Sequence, residues 1–172
     1  KNAILVLKGT GTDPETGEVV AESWSTAVIR GEGGFGGRSG ERAVAPAIPD
    51  RAPDASVALP TTEDQPLIYR LSGDRNPLHS DPWFAQNLAG FPKPILHGLC
   101  TYGLTAKALT DLLLDGDATR VGGYGARFAG TVIPGETLQA NLWRDGERIT
   151  GVLTAPSRDN VVVLAGIELT AS

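Results

Sequence analysis

A carboxylate, a carboxamide and an imidazole fall within six positions, at Asp74, Asn76 and His79, in the stretch Tyr69-Arg70-Leu71-Ser72-Gly73-Asp74-Arg75-Asn76-Pro77-Leu78-His79. Asp and His can act together as an acid/base pair, and Asn can hold a water or a carbonyl without changing charge. A second run, Ile95-Leu96-His97-Gly98-Leu99, opens the most hydrophobic helix-like segment of the chain. Unpaired N–H groups at a helix N-terminus favour an oxygen anion. With Gly98 as the first helical residue, its bare backbone admits a carbonyl oxygen and its N–H stabilises an enolate. The chemistry these groups suit is reversible addition of water, or proton abstraction, next to a carbonyl.

Blander readings stand beside each residue. An arbitrary Asp caps a turn, an arbitrary His sits satisfied in a core, and a Gly relieves crowding. The Asn76-Pro77 step pins the spacing, and a second group aims at the same place, which favours function for Asp74, Asn76, His79 and Gly98. His97 reads as structural. Cys100 has no evident activating partner and reads as core, and Trp24, Trp83 and Trp143 as core or interface. Ser72 and Ser80 flank the motif without a Gly-x-Ser-x-Gly elbow. No second carboxylate has the context of a glycosidase pair.

The elements that must hold these groups follow from composition. Residues 63–71 have helical character, with Leu67, Ile68 and Leu71 supplying an apolar side, and Gly73 ends the helix in a left-handed conformation. Pro77 disfavours helical angles at Asn76, which places Asp74, Asn76 and His79 on a tight loop. Asp81 caps the next short helix, over residues 83–88, with Pro82 in its first position and Gly90 at its end. Residues 98–114 are apolar on most sides and predict a helix about 25 Å long that a sheet wraps. Residues 121–128, 137–144, 147–155 and 161–170 predict the strands, with Asp145-Gly146 as a two-residue hairpin turn and further turns at 134–136 and 156–160. Gly122, Gly123 and Gly125 weaken the first of these strands unless another backbone packs closely there, and passage over the central helix is one reason for such closeness. Before all this, residues 3–8 and 19–29 predict a hairpin around the turn at 13–17, sharing a plan with the C-terminal hairpin at 149–170. Residues 31–60 are rich first in Gly, then in Ala and Pro, and read as linker without a phosphate-loop ending.

The chain has 172 residues, a net charge of −5, one Cys and two His. No basic block supports nucleic-acid binding, no apolar run reaches the roughly 20 residues of a membrane span, and no Cys/His cluster has metal-ligand spacing. A lone Cys fits a reducing compartment, and the excess of Arg over Lys with abundant Ala and Gly fits a bacterial cytoplasm. The chain opens at Lys1 on what already reads as a strand, and a two-stranded hairpin is marginal alone, so we expect further sequence before it. No signal peptide or Ser-Lys-Leu address is visible.

At the motif residues the sequence resembles the type 2 (R)-specific enoyl-CoA hydratases, the MaoC-like dehydratases. Their signature runs aromatic, one or two residues, aliphatic, small, Gly-Asp-x-Asn-Pro-aliphatic-His, which Tyr69, Leu71, Ser72, Gly73, Asp74, Asn76, Pro77, Leu78 and His79 fit. The His97-Gly98-Leu99 step fits too, and the similarity is closest over residues 61–170. The resemblance implies an α+β hot-dog fold, a curved antiparallel sheet around one long helix, as part of a double hot-dog. On that basis residues 1–37 would close an incomplete N-terminal repeat, 38–60 would link, and 61–172 would form the catalytic unit.

By the same resemblance Asp74 and His79 are the catalytic pair, Asn76 helps place the water, and Gly98 donates to the thioester oxygen. The implied reaction hydrates trans-2-enoyl-CoA to (3R)-3-hydroxyacyl-CoA in fatty-acid metabolism, with an acyl-CoA thioester as substrate and no cofactor or metal. Which of Asp74 and His79 is acid and which base stays open. The implied partner is a second copy, as a homodimer, or the absent N-terminal half. Two alternatives stand beside this reading: a dehydratase acting on acyl carrier protein, and a non-catalytic acyl-binding subunit.

Overall fold

The computed structural model describes residues 1–37 and 47–171, so residues 38–46 of the expected linker lie outside the described residues. The chain divides into two compact units, Lys1–Ala43 and Val44–Ser172. In the first, β1 (Ala3–Thr12) pairs antiparallel with β2 (Val19–Ile29). The turn between them is held by Asp13, whose carboxylate accepts the N–H groups of Glu15 and Thr16. Trp24 and the aliphatic residues Ile4, Val6, Val20 and Val28 are all exposed on this unit.

The second unit holds a five-stranded antiparallel sheet: β3 (Ala55–Pro60), β4 (Val121–Phe128), β5 (Thr137–Asp145), β6 (Arg148–Ala155) and β7 (Val161–Ala171), in the order β3-β5-β6-β7-β4. Leu138, Ala140 and Leu142 of β5 point into the core and alternate with wetter neighbours, as a strand with one solvated face requires. Central strand β6 is buried along nearly its whole length. Three helices complete the unit: α1 (Gln65–Tyr69), α2 (Pro82–Asn87) and α3 (Gly98–Leu113). Cys100 and Leu109 of α3 join Leu138, Leu142, Leu153 and Ile167 of the sheet in one core cluster.

Five expectations change. Residues 55–60 are not linker but an edge strand, tied to β5 from Ala55↔Leu142 to Pro60↔Thr137, so the unit begins before residue 61. Val57 and Leu59 face in while Ser56 and Ala58 face out, and Pro60 sits at the strand's end, where its missing N–H does no harm. The predicted helix at 63–71 is only α1 followed by a 3-10 turn, Arg70–Ser72; Pro66 suits the first turn of α1 but lacks the N–H that a helix beginning at residue 63 would need from it. The hairpin turn between β5 and β6 is Gly146-Glu147, one residue later than expected, since Asp145 still pairs with Arg148 and Gly146 takes φ +61°.

Helix α3, finally, is buried along one stripe, Cys100, Thr101, Thr105 and Leu109, while Leu99 and Leu112 are exposed. The threonines in that stripe are tolerated because their hydroxyls donate to carbonyls four residues back, Thr105 to Thr101 at 2.8 Å. The glycines of β4 also have another cause than a passing backbone. They accompany register shifts between Val121/Gly123 and Gly125/Arg127, where the strand bulges, and a Cβ at Gly125 would meet nothing within 4 Å. Close contact to α3 comes instead from Tyr102 and Tyr124, each donating its hydroxyl to the other's carbonyl.

Candidate active site

The motif loop is built as a sequence of caps. Gly73 closes the 3-10 turn after α1 at φ +117°, a conformation a side chain resists, and its N–H returns to the Arg70 carbonyl. Asp74 then accepts the Asn76 N–H at 3.1 Å. Asn76 caps a second 3-10 turn, Pro77–His79, by accepting the Leu78 N–H at 3.0 Å. Asp81 caps α2 by accepting from Trp83 and Phe84. The loop is therefore short and pinned at both ends, as its composition requires.

Within it, His79 is half-buried and Asp74 and Asn76 are exposed. The His79 Nδ1 lies 2.8 Å from the Ile95 carbonyl, which can only accept, so Nδ1 carries the proton and Nε2 is left with a free lone pair. Ile95 belongs to the segment leading into α3, and Leu96 beside it donates its N–H to the Val132 carbonyl. A carboxylate oxygen of Asp74 and ring nitrogens of His79 and His97 all lie within 4.8 Å of one another. A single water can hydrogen-bond across a gap of about this size, since two bonds of about 2.8 Å bent at the water span about 4.5 Å. The expected pair is thus brought together.

Asn76 departs in part from its expected role. Its side-chain oxygen is committed to the turn, so only its NH2 remains to steady a water or a carbonyl.

The second expected group is in place. Gly98 is the first residue of α3, after His97 at φ −57°, ψ 134°, and among the described residues its N–H has no partner. Gly98 and His79 line one cavity of about 150 Å³, together with Thr101, Phe128, Val132 and Val163. Phe128, half-exposed at the end of β4, lies over Gly98: a Cβ added there would stand 3.0 Å from its ring. Two larger hollows, of about 540 and 520 Å³, include none of the four expected residues.

His97 is the residue whose part the sequence understated. It is 1% exposed, its ring stacks on His79 with centroids 3.8 Å apart, and Tyr69 tilts against it at 4.8 Å. Its Nε2 donates to the Asp74 backbone carbonyl at 3.2 Å, and its Nδ1 is buried without a partner among the described residues. Burial first, then the neighbouring His79 and Arg70, push its pKa below the ordinary value against the opposing pull of Asp74. The only hint in the sequence was its place directly before Gly98. Phe128 had no such hint, because the register of β4 on β7 brings it to the site.

Asp74, His79 and His97 would be the natural set for a metal ion. The two imidazoles are stacked with planes 26° apart, and each gives one nitrogen to a backbone carbonyl, as metal-bound histidines also do.

Behind the site, an ion pair locks the supporting loop. Arg158 binds both carboxylate oxygens of Glu136, at 2.6 and 2.9 Å, and donates to the Thr131 carbonyl next to Val132. Burial alone would raise the Glu136 carboxyl; Arg158, the Ile133 N–H and Ser157 outweigh it and hold the group below its ordinary value.

Comparison with known proteins gives this arrangement a family. Residues 44–161 match the model of the MaoC like domain. The chain is 63% identical over 144 residues, 84% of its own length, to 3-hydroxyacyl-thioester dehydratase Y of Mycobacterium tuberculosis, covering 50% of that protein. It is 56% identical over 98% of its length to Enoyl-CoA hydratase ChsH3 of the same organism, covering 58%. The chain thus spans about half the length of the curated relatives it matches. The crystal structure of a MaoC-like dehydratase from Phytophthora capsici superposes with a TM-score of 0.86 at 32% identity, over 100% of this chain and 57% of that one. An antiparallel sheet carrying one long helix, a matching domain model and these relatives agree: the chain belongs to the MaoC-like dehydratase family and has its hot-dog fold.

Proposed function

We propose that the protein hydrates trans-2-enoyl-CoA thioesters reversibly to (3R)-3-hydroxyacyl-CoA, using Asp74 and His79 on the water and the Gly98 N–H on the thioester oxygen. One observation carries this reading: an unpaired helix-terminal N–H and a histidine with a free Nε2 line the same cavity, with a carboxylate in reach of that histidine. The N–H draws electron density toward the thioester oxygen, which makes C3 electrophilic. Water held between Asp74 and His79 loses a proton to the pair and adds its oxygen to C3. The enolate then collapses as C2 takes a proton from the pair, so one proton is accepted and one returned per turnover. His79 Nε2 is a ready acceptor, because Nδ1 is already committed to Ile95. The names of the relatives support the same chemistry on acyl thioesters.

The relative named a 3-hydroxyacyl-thioester dehydratase favours a second reading, dehydration of a 3-hydroxyacyl group carried on acyl carrier protein. Assaying one acyl chain on both carriers separates the two. Pairing with another hot-dog unit, in a homodimer or through an N-terminal repeat, belongs to the proposal as well, and exposed Leu71, Leu99 and Leu112 support it. A cytoplasmic setting remains part of it.

Asp74→Asn keeps the oxygen that holds the Asn76 N–H, and His79→Gln keeps a polar side chain of similar reach, so both variants should fold. Each should lower kcat for enoyl-CoA hydration by about 10²–10⁴-fold. Near-parental rates in both would remove the assignment.

A further inference from the structure

We propose that His97 is a positioning residue for this reaction: its buried imidazole fixes the ring plane of His79, the backbone of Asp74 and the start of α3 at once. The inference rests on the hydratase reading and deepens it. Three contacts converge on one ring. The face of His97 lies against His79 at 3.8 Å, its Nε2 donates to the Asp74 carbonyl at 3.2 Å, and its own backbone is the cap position that hands the chain to Gly98. Tyr69, from α1, closes on the ring at 4.8 Å. His79 is held at its edge by Ile95 and on its flat side by His97, so neither rotation nor tilt is free.

The orphaned Nδ1 argues that the imidazole is there for its donor. A carbonyl cannot donate, so the bond to Asp74 requires the proton on Nε2 and leaves Nδ1 as a bare lone pair. That lone pair is enclosed without a partner among the described residues, a costly arrangement that an apolar ring of the same shape would avoid. Packing alone therefore does not account for a histidine here. Charging His97 would bury an N–H with no acceptor beside His79 and Arg70, while only Asp74 offers a compensating charge. The ring stays neutral, and a proton taken from water stays on the pair instead of passing into the core.

Two substitutions separate the ring from the donor. His97→Phe keeps a flat ring and loses the N–H; His97→Gln keeps an amide donor at a reach like that of Nε2 and loses the ring. In the full chain, with crotonyl-CoA as probe, His97→Phe should lower kcat about 10–100-fold with KM changed less than about threefold, as misplacement of reacting groups by a fraction of an ångström to an ångström does. His97→Gln should recover at least about fivefold of that loss. A folded His97→Phe protein with kcat within about threefold of the parent, or a Gln variant no better than Phe, overturns the proposal.

Spectra give a readout independent of turnover. The chain has two histidines, and comparison with a His79→Gln variant assigns the His97 signals in long-range ¹H–¹⁵N spectra of the imidazoles. His97 should show the neutral Nε2–H form and His79 the Nδ1–H form; an Nδ1–H or mixed form at His97 overturns the proposal whatever the kinetics. A parent protein inactive on every acyl thioester would defeat the hydratase reading, and the spectra would then decide the position of His97 by themselves.

Discussion

The Gly98 amide can be deleted with little damage to the backbone, because it occupies the one helical position that proline prefers. Gly98 is the first residue of α3, where the N–H has no intrahelical partner. The residue before a proline must be extended, and His97 already sits at φ −57°, ψ 134°. Gly98→Pro therefore removes a hydrogen-bond donor and nothing else that α3 needs. It also adds a Cβ, which would stand 3.0 Å from the Phe128 ring. Gly98→Ala adds the same Cβ and keeps the N–H, so the clash with Phe128 cancels between the two variants, and the proline ring carbon that replaces the amide hydrogen is what differs. Phe128 is 51% exposed and can swing outward by the few tenths of an ångström required. Both variants should unfold within about 1 kcal/mol of the parent.

The difference in turnover between Pro and Ala then reports the loss of the donor together with the ring carbon that takes its place, so an unchanged rate excludes the donor. Loss of a single oxyanion donor lowers kcat by about 10²–10³-fold, or about 2.7–4 kcal/mol of transition-state stabilisation. The assay is loss of the enoyl-thioester absorbance on hydration, at saturating substrate, with thermal unfolding run in parallel. A folded Gly98→Pro protein whose kcat lies within about threefold of Gly98→Ala would refute the role given to this amide. It would also remove the helix terminus from the mechanism, leaving only the Asp74/His79 pair.

Two further outcomes concern the frame. Glu136 has a depressed pKa in the folded protein and about 4.3 when unfolded, so its contribution is complete above the unfolded value and is lost as pH falls through the folded one. Unfolding free energy should thus drop below about pH 4, and Glu136→Gln, about 2 kcal/mol less stable at pH 7, should flatten that drop; a parallel decline in both proteins would contradict it. Leu109→Ala, at a fully buried position of α3, should cost about 2–5 kcal/mol by denaturant titration, and a loss under about 1 kcal/mol would show that α3 is not seated on the sheet as described.

Much of the site was legible because its residues are held by local chemistry. Gly73 in the left-handed region, Asn76 before Pro77 and Asp81 before Pro82 each settle their own turn, which puts Asp74 and His79 on one short loop. What sequence could not show arises at long range. The Ile95 carbonyl that fixes the His79 tautomer is sixteen residues on, and Phe128 reaches Gly98 only through the β4–β7 register. Strand β3 was hidden for a different reason: six residues bounded by Pro53 and Pro60 look like loop until β5 offers them a ladder. The apolar character of α3 overstated its burial, because composition reports how much surface is apolar and not whether this unit covers it.

The two histidines are held in different tautomers by backbone acceptors, and that difference bears on the proposed proton path. An acidic or hydroxyl partner could exchange roles with an imidazole as protonation changes; a carbonyl cannot. His79 is therefore held as the Nδ1–H form by Ile95 and His97 as the Nε2–H form by Asp74. Two lone pairs remain, His79 Nε2 and His97 Nδ1. The second is sealed from solvent, whereas His79 lines the cavity beside Gly98. On the proposed mechanism, a thioester bound with its oxygen on the Gly98 N–H would meet a single available imidazole base. The Asp74 carboxylate lies within 4.8 Å of that ring, on the exposed side of the loop, where it can hold the water while His79 takes its proton.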